Sequence, residues 1–203
     1  MIMVQAFLPD IRHGDVRIIL IDGCPASHAL VRMPSKDDFR GNMATGGTTS
    51  VRPITETEGI ICADIGPKLA AMGLMFVGID LIGDKLTEIN VTSPTGIVQI
   101  ETHANIQVSA LLLEAIEKKK LKHDYLENTR DWLIISCYTG QRISDFLRFT
   151  KDMIRIENGK SLLEFTQKKT GKLMTVPLHN KVLEILKKRN GEFPRPISDQ
   201  RYN

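Results

Sequence analysis

The stretch FVGIDLIGDKLTEINVTSPTG, Phe76–Gly96, reads as part of a β-hairpin with strands over Leu74–Ile82 and Leu86–Val91. Glu88 and Asn90 stand two apart, so both side chains project from one face of their strand. Asp80 lies on the partner strand, and the face it takes depends on the turn. A two-residue turn at Gly83-Asp84 sets Asp80 against Thr87 and away from Glu88, because a one-residue change in register reverses every side chain. A three-residue turn at Gly83–Lys85, or a bulge, sets Asp80 directly across from Glu88. Two carboxylates and an amide oxygen then converge, a hard-oxygen set suited to magnesium bridging nucleotide phosphates. An exposed hairpin with scattered acids has the same periodicity, so the pattern alone decides nothing.

The surrounding chain is globular in composition, with 203 residues and 42% hydrophobic content, long enough for one domain or two small ones. Its net charge of +3 conceals a division. Through Glu117 there are 8 Lys/Arg against 14 Asp/Glu, a balance of −6, and after it 19 against 10, a balance of +9. Only the second part has the charge expected of a nucleic-acid partner, although a solvated basic surface gives the same count. Cys24, Cys62 and Cys137 are odd in number and far apart, which argues against a disulfide framework and a zinc site. The five histidines show no ligand spacing either. No apolar run reaches the roughly 18–20 residues of a membrane span, and the N-terminus lacks a signal peptide's basic start. The reading is a soluble, cytoplasmic chain with no membrane partner.

Short β-rich runs at Ile2–Leu8, Val16–Asp22 and Ser27–Met33 read as strands, and polar, Gly-containing Ser35–Ser50 as a long functional loop. Thr55–Met72 has helical period and stops before Gly73. After the hairpin, one helical stretch reaches Glu117. The character changes at Lys118–Lys122 without a Gly/Ser/Pro linker. Helices are expected at Leu126–Tyr138, Ile143–Phe149 and His179–Arg189, with a hairpin formed by Leu162–Gln167 and Leu173–Pro177.

MVQAFLPDI, GDVRIILIDG, LVRMPSKDDFRGNMATGG and GPKLAAMGLMFVGIDLIGDKLTEINVTSPTG occur in that order, followed by a closing helix. Over Met3–Glu117 they resemble the C-terminal part of bacterial glutathione synthetases, which are ATP-grasp ligases. The resemblance implies Mg2+ and ATP as cofactors, with weak or absent binding expected because the covering domain is missing, and Asp80, Glu88 and Asn90 as metal ligands. It puts adenine against Gln5, Ala6, Phe7 and Leu8, ribose near Asp15, and phosphate beside Arg17. It gives Arg32, Arg40 and the Gly41–Gly47 loop, including Gly46 and Gly47, to closure over the reacting carboxylate. The implied partners are the nucleotide, γ-glutamylcysteine and glycine, joined through an acyl phosphate whose formation metal and arginines stabilise. Thr48 replaces the arginine common after Gly-Gly, which weakens the expected substrate clamp. The resemblance also implies a missing substrate domain and ATP-covering lid, and a sheet with an edge or apolar face left open.

In the basic part, Thr139-Gly140 separates two apolar segments and Arg142 follows. An arginine at a helix start can grip a phosphate, and Asp145, one turn on, is expected to orient it. Lys168, Lys169 and Lys172 on a hairpin tip suit contact with a nucleic-acid backbone. A surface arginine, an ordinary turn and solubilising lysines account for the same residues. Taken together, RDWLIISCYTGQRISDFLRF, QKKTGKLMTVPL and EILKKRNGEFPRPIS resemble the start of a tyrosine recombinase (phage integrase) catalytic domain over Leu121–Asn203. The resemblance makes Arg142 the first catalytic arginine, Lys169 the catalytic lysine, Lys172 a backbone contact and DNA the partner. The family's His-x-x-Arg box and tyrosine nucleophile are expected beyond Asn203. Tyr202 precedes that box and is not read as the nucleophile, so strand cleavage is not expected.

The expected architecture is α+β in two parts. An ATP-grasp half-domain at 1–117, mostly antiparallel sheet with helices, precedes a mainly helical, incomplete recombinase domain with a β-hairpin at 121–203. Three function classes compete: a ligase remnant that binds Mg-ATP, a DNA-binding remnant, and a fusion without catalytic activity, which is favoured for catalysis. A second chain is a candidate supplier of the missing domains.

Overall fold

The structure, a computed structural model, describes residues 6–34 and 48–198. The chain divides into two compact units, Met1–Ala115 and Ile116–Asn203.

In the first unit a 3-10 turn at Pro9–His13 leads into β1 (Asp15–Ile21), followed by β2 (Cys24–Pro25), β3 (His28–Met33), β4 (Thr48–Pro53), α1 (Glu56–Ala71), β5 (Phe76–Ile82), β6 (Lys85–Asn90), α2 (Ile97–Ala104) and α3 (Val108–Lys118). The strands form one antiparallel sheet in the order β4-β3-β1-β5-β6, with β2 paired to β1. Central β1, sequence DVRIILI, is apolar on both faces over Ile18–Ile21, where both are covered. Val16, Ile18 and Leu20 join Ala29, Val31, Val77, Ile79, Leu81 and the α1 residues Cys62 and Leu69 in one core. On the opposite face Ile19, Ile21 and Leu30 pack with Ile100 of α2 and Val108 of α3. α1 approaches the β1–β2 turn closely: a Cβ on Gly66 would lie 2.0 Å from the Gly23 carbonyl oxygen.

Several expectations are corrected here. Residues Ala6–Leu8 are not strand, and Pro9 opens a 3-10 turn directly after them. Most of the expected Ser35–Ser50 loop lies outside the described residues, and its end, Thr48–Ser50, belongs to β4. The β-branched residues Thr48, Thr49 and Val51 complete an edge strand against β3, a pairing that local composition concealed. The single helical stretch up to Glu117 is two helices, because Asn105 takes a left-handed conformation (φ 53°) after α2.

The second unit contains α4 (Asp124–Thr139), α5 (Ile143–Phe146), β7 (Ile154–Glu157), β8 (Lys160–Thr166), β9 (Leu173–Pro177) and α6 (Asn180–Lys188). Trp132, Ile135, Phe146, Phe149, Leu163, Phe165, Val182 and Leu186 build its core. The expected hairpin is in fact a three-stranded antiparallel sheet, β7-β8-β9. β7 joins β8 through Asn158-Gly159, both at positive φ (50° and 75°), the dipeptide favoured in a tight hairpin turn. Asn128 fixes the segment after α6: its side chain accepts from the Arg195 N–H at 2.9 Å and donates to the Arg195 carbonyl at 2.8 Å. The indole N–H of Trp132 donates to that same carbonyl at 2.9 Å.

Candidate functional site

On the sheet face that carries α2 and α3, residue character changes along the strands. Ile19, Ile21, Leu30 and Phe76 are packed beneath the helices, whereas Asp15, Arg17, Arg32 and Asp80 continue the same face as charges. Register forces the convergence. Arg17 pairs with Asp80, Asp15 pairs with Arg32, and Asp80 pairs with Glu88. The β5–β6 turn is the two-residue Gly83-Asp84, with Ile82 opposite Lys85. A bulge at Asp80/Leu81 restores the facing, so Asp80 lies across from Glu88, and Gly78 across from Asn90. The bulge, and not a longer turn, puts Glu88 and Asn90 on the face of Asp80.

The network is tightly bonded. Arg17 donates from Nε to Asp80 Oδ1 at 2.7 Å and from Nη2 to Asp80 Oδ2 at 2.6 Å, a bidentate pair. Its third nitrogen, Nη1, donates to Thr95 Oγ1 at 3.0 Å. Arg32 Nη2 lies 2.8 Å from Asp80 Oδ2 and also bonds Asp15 Oδ2. Asp80 is only 3% exposed, whereas the Glu88 side chain is 56% exposed and 3.9 Å from Arg17. Asn90 Oδ1 accepts from the N–H groups of Thr92 and Ser93 at 3.3 and 3.2 Å, shaping the turn that delivers Thr95.

Burial pushes the Asp15 carboxyl above its ordinary range against the pull of Arg32, and leaves Oδ1 without a hydrogen-bond partner. Hydrogen bonding to Asp80 raises Arg17 further, so this guanidinium stays charged. Formally, Asp15, Asp80 and Glu88 stand against Arg17 and Arg32, three acids to two bases. Two carboxylates and an amide oxygen suit magnesium, which commonly takes one or two carboxylates and completes its shell with water and phosphate. Among the described residues no group of three His, Cys, Asp or Glu side chains converges on a metal position.

The remaining expected residues are more dispersed. Gln5, Arg40, Gly46 and Gly47 lie outside the described residues. Ala6 and Phe7 are exposed, and the Leu8 carbonyl caps the Pro9–His13 turn by accepting from Ile11 at 3.1 Å. Thr95 was not singled out in the sequence. Its only signal there is its place in Pro94-Thr95-Gly96 directly after the metal-type strand.

In the second unit Arg142 is exposed at the start of α5, but α5 has four residues and offers little dipole. The expected Asp145–Arg142 contact is not formed. Asp145 is fully buried and accepts instead from Arg148 Nη2 at 3.0 Å and from the Lys168 N–H at 2.7 Å. The hairpin tip needs a partner for its N–H, and the inward-facing carboxylate satisfies it, whereas Arg142 points to water. Lys169 and Lys172 are exposed on that tip.

The antiparallel sheet, its helices and this cluster correspond to an ATP-grasp domain. Residues 1–105 match the family model described as the ATP-grasp domain of prokaryotic glutathione synthetase, and the chain belongs to that family. It is similar to the glutathione synthetases of Vibrio parahaemolyticus (50% identity over 117 residues), Pseudomonas putida (50% over 118) and Xanthomonas axonopodis pv. citri (46% over 115). The first two alignments cover 58% of this chain and 37% of the relative, the third 57% and 36%. The chain thus spans little more than a third of the length of these relatives.

Proposed function

We propose that the first unit binds a magnesium–nucleotide phosphate group. Asp80 and Glu88 would hold the ion, with Asn90 joining only if its Oδ1 gives up a bond to the Thr92 or Ser93 N–H; Arg17 and Arg32 face the phosphate, and Asp15 lies toward the ribose. The observation that carries the reading is the register: the bulge at Asp80/Leu81 sets Asp80 opposite Glu88 while both guanidiniums reach the same carboxylate. When bound, magnesium neutralises phosphate charge and polarises the phosphoryl oxygens. The protein's own part is positional. Asp80 orients Arg17 and Arg32, Thr95 holds the far side of Arg17, and Asn90 shapes the turn carrying Thr95. Family membership is consistent with an ancestral reaction on ATP, γ-glutamylcysteine and glycine; the proposal for this chain is limited to nucleotide binding. Calorimetric titration of the full chain with ADP should give heat only when Mg2+ is present, and Glu88→Gln should abolish it. Heat that is independent of Mg2+, or unchanged in Glu88→Gln, would contradict the reading.

A second reading applies to Ile116–Asn203: contact with a nucleic-acid backbone by a unit related to tyrosine recombinases. It is favoured by Asp145, which ties the hairpin tip to α5 through the Lys168 N–H and so positions exposed Arg142 and Lys169 in one region of the unit. The +9 balance of residues 118–203 adds the charge such a partner requires.

A further inference from the structure

Asp80 has its two oxygens unequally engaged. Oδ2 receives Arg17 Nη2 and Arg32 Nη2, which fills both lone pairs, whereas Oδ1 receives only Arg17 Nε. Each nitrogen of Arg17 has a partner: the three go to Asp80 Oδ1, Asp80 Oδ2 and Thr95 Oγ1, and the residue is 5% exposed. The stem is confined as well. A Cβ at Gly78 would lie 3.6 Å from Arg17 Nε and one at Gly96 3.7 Å from its Cδ, so the side chain passes between two glycines. A cation already lies between Asp80 and the Glu88 side of the cluster, 3.9 Å from Glu88 Oε1. That cation is the guanidinium.

We infer that Arg17 is a built-in counter-ion for the Asp80/Glu88 pair, and that a divalent cation binds in competition with its hold on Asp80. This rests on the magnesium–phosphate reading above and goes beyond it. The physical case is one of competition. A magnesium-sized ion needs a carboxylate oxygen at about 2.0–2.1 Å, and the two guanidiniums already take both lone pairs of Oδ2 and one of Oδ1, placing positive charge against the only oxygen with room. Without the metal, buried Asp80 would be left short of compensation, and an arginine bonded at both oxygens removes that penalty. Thr95 is the anchor that favours the metal-free position, since it bonds the one Arg17 nitrogen that Asp80 does not use. Once displaced, Arg17 has Nε and Nη2 free for an anion, so entry of the metal releases a phosphate-binding group. Ion and anion are thereby coupled through a single side chain, and by linkage each raises affinity for the other.

The test is Mn2+ titration of the full chain without nucleotide, followed by electron paramagnetic resonance. Arg17→Met should raise Mn2+ affinity at least about tenfold over wild type. Part of that gain would come simply from removing a positive charge, so Thr95→Val is the deciding variant. It keeps every charge and frees only Nη1, and should raise affinity about threefold or more, while Thr95→Ser, which retains the hydroxyl, should match wild type. Mg2+ titration watched at the arginine Nε–H resonances supplies a readout that does not depend on any variant folding: the Arg17 signal should lose its hydrogen-bonded position as Mg2+ saturates. If Mn2+ binding is lost in Glu88→Gln but unchanged in Thr95→Val, with the Arg17 resonance unmoved at saturation, the metal reading stands and the counter-ion is disproved. If neither wild type nor Arg17→Met binds Mn2+, both fail.

Discussion

Asp80 and Glu88 face each other yet have opposite energetic standing. Asp80 is buried between two guanidiniums, so Asp80→Asn leaves Arg17 and Arg32 undercompensated and should destabilise the first unit by about 3–5 kcal/mol. Glu88 is largely exposed, and Glu88→Gln should change stability by no more than about 1 kcal/mol. Thermal denaturation of the two variants checks this contrast, and comparable losses would contradict it. A second residue-scale prediction concerns thiols. Burial pushes Cys62 up to about 11, whereas Cys24 is exposed on β2. At pH 8 a disulfide reagent should label Cys24 in the native chain and Cys62 only on unfolding. Rapid native labelling of Cys62 would mean that the α1 side of the core opens readily.

Among the elements, α1 shows most clearly how a local signal and a distant one combine. Thr55 accepts from the Glu58 N–H while Glu58 accepts from the Thr55 N–H, a capping box readable in Thr55-Glu56-Thr57-Glu58. Arg52 on β4 adds a bidentate pair to Glu58 that no local pattern announces. Burial works to raise the Glu58 carboxyl, but its bonds to Arg52 and Thr55 outweigh this and hold it below the ordinary range. A carboxyl lowered by folding contributes stability above its unfolded value, near 4.3, and loses it as pH falls through the lower folded value. Stability should therefore decline on that acid limb, and Glu58→Gln should flatten the decline. Thr55→Ala should cost about 1 kcal/mol in denaturant unfolding. Strands with strong apolar runs, β1 and β5, were legible in the sequence, as was the α1 boundary. β4 was not, because its partner strand and not its own composition makes it a strand. β7 was missed although Asn158-Gly159 carried the turn signal. Within the site, the facing of Asp80 and Glu88 depended on a bulge whose possibility the sequence allowed but could not choose. The commitment of Asp145 to Lys168 depended on burial that spacing does not reveal.

For the whole molecule, the two units carry opposite charge balances, and nucleic-acid affinity should follow the second. Duplex binding should weaken with salt by about 0.9 in log–log slope per neutralised phosphate, and Lys169→Ala should reduce that slope by about 1. Retention insensitive to salt would exclude the backbone-contact reading. No helix among the described residues is long and apolar enough to cross a membrane. The central claim, a magnesium–phosphate site on the charged end of the first sheet, is tested most directly by paramagnetic mapping. Adding Mn2+–ADP to the 15N-labelled full chain should first broaden the amides of Asp80, Glu88, Asn90 and Arg17. Broadening that begins elsewhere, or that leaves Asp80 and Glu88 untouched at saturation, would contradict it.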